Sequence, residues 1–100
     1  WVNKLLDLAQ PIVYAGADKS IKSTTVWLNG RIVAEKDAIA QINWHLLSQP
    51  EGGAALLVSQ NGRKVRAKNL NVKGRYIFEL RALDEDGAVL ASDTVVITRN

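Results

Sequence analysis

The chain has 100 residues, 47% hydrophobic and 23% charged, with a net charge of +3 and neither Cys nor Met. Such a length supports one domain around one core, and the absence of Cys excludes disulfides, thiolate metal sites and cysteine catalysis together. No apolar run is long enough for a membrane-spanning helix, and the modest positive charge does not imply a nucleic-acid partner.

Positions 1–10 (WVNKLLDLAQ) place Val2, Leu5, Leu6 and Ala9 at helical spacing. Isolated helices this short are marginal in water, so the segment is expected to be a linker or a short helical lead-in. Pro11 closes it, because the residue before a proline is pushed away from helix. With Trp at position 1 and no Met anywhere, the sequence is expected to be a piece of a larger protein.

From Pro11 onward the pattern is that of strands. Pro11 to Ala15 is predicted as a first edge strand, broken by Gly16-Ala17-Asp18, after which Ile21 resumes the apolar pattern. Thr24 to Asn29 is predicted as a second strand with Val26 and Leu28 facing inward, closed by an Asn29-Gly30 turn. That alternation turns Trp27 outward, which is unusual for so large an apolar residue. Ile39 to Leu47 is predicted as a third strand, with Ala40, Ile42, Trp44 and Leu46 on the inner face and Gln41, Asn43 and His45 on the outer. Ala54 to Ser59 forms a short strand turned by Asn61-Gly62, and Val65 and Ala67 then alternate with Lys64, Arg66 and Lys68.

The clearest stretch is Gly74 to Gly87. Tyr76, Phe78, Leu80 and Ala82 share one face and Arg75, Glu79 and Arg81 the other, the signature of a half-buried strand. Asp84 to Gly87 supplies turn chemistry, and the apolar run from Ala88 to Thr98, with Val95 and Ile97 inward, completes a β-hairpin. About seven short strands separated by turn signals argue for an all-β sandwich or barrel.

In their order and spacing, several pieces of the chain resemble the PKD domain (polycystic-kidney-disease-type repeat). They are Ala15-Gly16-Ala17-Asp18, Val26-Trp27-Leu28-Asn29-Gly30, Ile42-Asn43-Trp44, Gln49-Pro50-Glu51-Gly52-Gly53, Gly74 to Leu80, Asp84 to Gly87 and Ser92-Asp93-Thr94-Val95. The likeness runs from about Pro11 to Thr98, so 11–100 is expected to be the domain. It implies an immunoglobulin-like, Greek-key sandwich of two sheets without a disulfide. It also implies a non-catalytic extracytoplasmic module, periplasmic, secreted or on the cell surface, that spaces, connects or adheres. The region from Val33 to Ile39 departs from the family by lacking the Asp-rich, Gly-containing turn before the Trp strand.

Independently of that likeness, Trp44 in mid-strand suits the space between two sheets, where aromatic burial is large. Tyr76 stands where its hydroxyl would bond backbone in the preceding loop, a tyrosine corner.

Sites of chemistry are sparse. His45 is the one histidine and cannot build a His-based zinc site alone, and no Ser or Cys constellation supports a triad. Asp84, Glu85 and Asp86, with Asp18 and Asp93, are oxygen donors of the kind calcium takes, but Asp-Gly turns arise for local reasons and no EF-hand spacing is present. No metal, cofactor or catalytic residue is predicted. Arg63, Lys64, Arg66, Lys68, Lys73 and Arg75 form a basic run without an acid. Lys64, Arg66 and Lys68 share one strand face beside the outward Trp27. That group is either a solvated face with cations over the indole or a docking surface for a neighbouring domain or partner protein. A ligand site for glycan or peptide, accessory to a secreted hydrolase, is the alternative.

Overall fold

A computed structural model describes residues 11–34, 38–58 and 62–100. The lead-in expected at positions 1–10 lies outside the described residues. Nine strands are present among them and no helix: β1 (Ile12–Tyr14), β2 (Lys19–Ile21), β3 (Val26–Asn29), β4 (Arg31–Val33), β5 (Gln41–Ser48), β6 (Leu56–Val58), β7 (Lys64–Lys68), β8 (Gly74–Leu83) and β9 (Val89–Arg99). One sheet has the order β2-β9-β8-β5, a second the order β3-β7-β6, and β1 and β4 form a separate pair. The chain leaves the first sheet after β5, builds β6 and β7 in the second, and returns as β8 beside β5. The four- and three-stranded sheets form the all-β sandwich expected from the sequence, with the β1–β4 pair as a separate sheet rather than part of a two-sheet set.

The alternation of β8 sets the core. Tyr76, Phe78, Leu80 and Ala82 are fully buried, and Val95 and Ile97 on β9 join them. Trp44 stands opposite Leu80 on β5 and closes the space between the sheets against Leu28, Val65, Ala67 and Leu70. Its indole N–H donates to the Gly62 carbonyl at 3.0 Å, so the ring brings its one polar atom into the core with a partner. At the Asp84–Gly87 turn, Asp84 Oδ1 accepts from the amides of Asp86 and Ala88, both at 2.9 Å. This carboxylate holds the hairpin tip, which is the local reason for an Asp at that place.

Tyr76 makes the corner that its position predicts. Its hydroxyl donates to the Val72 carbonyl at 2.6 Å and accepts from the Val72 amide at 3.2 Å. Tyr76→Phe leaves both backbone groups without that partner, and stability is expected to fall by about 1 kcal/mol or more. A denaturation midpoint equal to the parent's would show that the corner contributes nothing.

Between β1 and β2 the chain switches from the β4 pair to the edge of the four-stranded sheet. Gly16 makes the bend with φ of 100°, a conformation that a Cβ disfavours. Two carboxylates fix it from opposite sides. Asp93 accepts from the Ala15 amide at 2.8 Å and Asp18 from the Val96 amide at 2.9 Å. β2 then runs parallel to β9, with Lys19 beside Ile97.

Three readings of the sequence need correction. The strand count is nine against about seven, because β2 and β4 have three residues each, too few for alternation to show. Ala40, placed on the inner face of the third strand, is exposed, and that strand begins at Gln41. Asn29-Gly30 is not a closing turn. The Gly30 amide donates to the Arg63 carbonyl at 2.7 Å, so the chain continues along β7 and enters β4 directly.

Candidate functional site

The pairing of β3 with β7 is antiparallel, with Leu28 opposite Val65, Trp27 opposite Arg66 and Asn29 opposite Lys64. The Gly30–Arg63 hydrogen bond fixes its phase. Leu28–Val65 then exchange backbone bonds, whereas Trp27–Arg66 and Asn29–Lys64 are non-hydrogen-bonded pairs, in which side chains stand closer together. Leu28 and Val65 point into the core. Trp27 and Arg66 therefore share the outer face at close quarters.

Trp27 is 50% exposed. The Lys64 ammonium lies 4.8 Å from its ring centroid and the Arg66 guanidinium 5.8 Å. Contacts of this kind at an exposed site contribute about 0.5–1 kcal/mol each, enough to favour one ring orientation. Lys68 lies one step along β7 and pairs in register with Leu56 of β6, away from the indole. The structure thus brings Trp27, Lys64 and Arg66 into contact and sets Lys68 on the same face.

The short strand expected over Ala54 to Ser59 is β6, but sequence reasoning did not place it on this face. β6 places Val58 opposite Arg66 and Leu56 opposite Lys68, and both are exposed, at 41% and 53%. Leu57 between them faces the core, and a run of apolar residues hides which of the three faces out. Sequence reasoning also missed Lys19. Its ammonium donates to the Trp27 carbonyl at 3.2 Å, on the edge of β3 that pairs with no strand.

The other candidate residues have local roles. His45 stands opposite Glu79 on the outer face of the four-stranded sheet, where Glu79 is ion-paired with Arg81. Asp18, Asp84 and Asp93 each accept from backbone amides, and no cluster suited to a metal occurs among the described residues. Nor does any described helix have the length and apolarity to cross a membrane.

The sheet order, the Trp between the sheets and the tyrosine corner define an immunoglobulin-like β-sandwich module. Residues 15–98 match the family described as "K319L-like, PKD domain", and the chain belongs to that family. Among solved structures, the PKD domain of the KIAA 1837 protein is 21% identical with a TM-score of 0.68, covering 88% of this chain and 84% of that one. The PKD domain of human KIAA0319 is 18% identical with a TM-score of 0.69, covering 90% and 80%. A mutant of the SrpA adhesin from Streptococcus sanguinis is 16% identical with a TM-score of 0.53, covering 90% and 57%. No curated protein sequence matches the chain. PKD domains are modules typically used for interaction or adhesion, and they occur in extracellular or surface proteins.

Proposed function

We propose that this domain is a non-catalytic extracytoplasmic docking module, and that Trp27, Lys64, Arg66 and Lys68 form its interaction surface toward a neighbouring domain or a partner protein. The observation that carries this reading is a half-exposed Trp27 held by two cations on a sheet face whose sequence supplies no acid. An aromatic fixed in this way costs little entropy to bind, and Trp and Arg are over-represented among residues that dominate interface energies.

Trp27→Ala tests the reading. The isolated variant is expected to stay folded, with stability lower by about 1–2 kcal/mol as the two cation–π contacts are lost. Its affinity for the separately produced neighbouring domains of the parent protein should fall at least about tenfold. The Trp fluorescence of the parent that the Trp27→Ala variant lacks follows that titration, and a parallel titration with glycan oligosaccharides tests the ligand-binding alternative. If the variant binds its neighbours as the parent does, the surface is only a solvated face.

A further inference from the structure

Three columns of side chains make up the outer face of β3, β7 and β6. The central strand carries Lys64, Arg66 and Lys68. Strand register puts Trp27 on one side of Arg66 and Val58 on the other, and Leu56 beside Lys68. A line of cations is thus flanked by apolar groups that are each two-fifths or more exposed, and the three strands contribute no carboxylate.

We propose that this face docks a protein surface on which carboxylates alternate with aliphatic side chains. The carboxylates meet the cations of β7, and the aliphatic groups cover Trp27, Val58 and Leu56. The inference rests on the docking reading above and adds the chemistry of the partner. Charge complementarity sets the sign, because unpaired like charges across an interface are unfavourable. The apolar columns set the class. A sulfated or uronic-acid glycan would satisfy the cations and leave Val58 and Leu56 uncovered, whereas a protein surface covers them.

A second copy of the same face is a poor occupant. A two-fold contact is self-complementary, and here it would bring two cationic columns together with no countercharge. Strand addition at the open edge of β3 is also disfavoured, because the Lys19 ammonium already occupies the Trp27 carbonyl there. The contact is therefore made by side chains across the face. Strands about 5 Å apart with about 3.4 Å per residue give a patch of roughly 10 Å by 14 Å. Its six side chains are well short of the roughly 20–30 residues a side of a standard interface, so the contact is small and exchangeable.

The test uses the intact domain and three probes: a short peptide of alternating Glu and Leu, a polyglutamate peptide of equal length, and a heparin oligosaccharide. Amide shifts are mapped by NMR. The Glu/Leu peptide is expected to bind with a dissociation constant on the order of 100 µM, with shifts confined to β3, β6 and β7. Arg66→Glu should weaken it at least about tenfold. Leu56→Ser with Val58→Ser should weaken the Glu/Leu peptide severalfold and leave polyglutamate unchanged, while unaltered β8 and β9 resonances show that both variants are folded. Three outcomes overturn the inference: heparin binding here more tightly than the Glu/Leu peptide and indifferent to the β6 substitutions, self-association through these strands, or no peptide binding. Each of these leaves the Trp27→Ala titration against the native neighbours to decide the docking reading separately.

Discussion

Trp44→Ala is expected to destabilise the domain by about 3–5 kcal/mol, the range for truncating a large buried aromatic. The indole is 1% exposed, faces Leu80 across the β5–β8 pair and donates to the Gly62 carbonyl. Its loss removes apolar burial, opens a cavity between the sheets and strands a carbonyl. A domain of this size has a total stability of about 5–15 kcal/mol, and 1 kcal/mol moves its midpoint by about 4–8 °C. Thermal unfolding should therefore shift down by about 20 °C, or the variant should be unfolded at room temperature. A midpoint within a few degrees of the parent's would contradict the packing described for β5.

Gly30→Ala is the second large effect, and it acts in the opposite sense, by overfilling. A Cβ at Gly30 would collide with the Leu80 side chain, come within 3.1 Å of the Trp44 ring and stand 3.2 Å from the Arg63 carbonyl. Overpacking of a tight core costs about 1–3 kcal/mol, and here backbone on one side and an indole on the other leave little room to yield. The partner that can be removed is Leu80. Leu80→Ala alone should destabilise through its cavity, but combined with Gly30→Ala the loss should be less than the sum of the two single losses. Interaction energies between touching residues run to about 0.5–3 kcal/mol. A double-mutant cycle by chemical denaturation measures this, and strict additivity would show that Gly30 is not packed tightly against β5 and β8.

The same three residues show what the sequence makes legible and what it hides. Trp44 and Leu80 lie in long alternating runs, β5 and β8, where a period of two is unmistakable, so their inward direction follows from pattern alone. The outward direction of Trp27 follows in the same way from Val26 and Leu28. Gly30 carries no pattern. After an Asn it suggests a turn, and its actual role, letting β3 pass close to Trp44, depends on two elements distant in the chain. The clamps at the β1–β2 bend are hidden for the same reason, since each joins residues 78 positions apart. On the proposed docking face, the β7 cations and Trp27 could be read from the sequence. Their apolar flank on β6 could not, because strand order and register decide which of Leu56, Leu57 and Val58 faces out.

The parallel pairing of β2 with β9 also bears on how the chain reaches its fold. β9 lies between β2 and β8 in the sheet, so two strands of the larger sheet stay incomplete until residues Val89–Arg99 arrive. Lys19 must then meet Ile97, a closure across most of the sequence, and contacts of such separation slow folding into the range of milliseconds to seconds. During synthesis at about 5–20 residues per second, β5 to β8 emerge before β9, and the core lacks Val95 and Ile97 until that last strand arrives. The rate-limiting event is therefore expected to be the docking of the last strand.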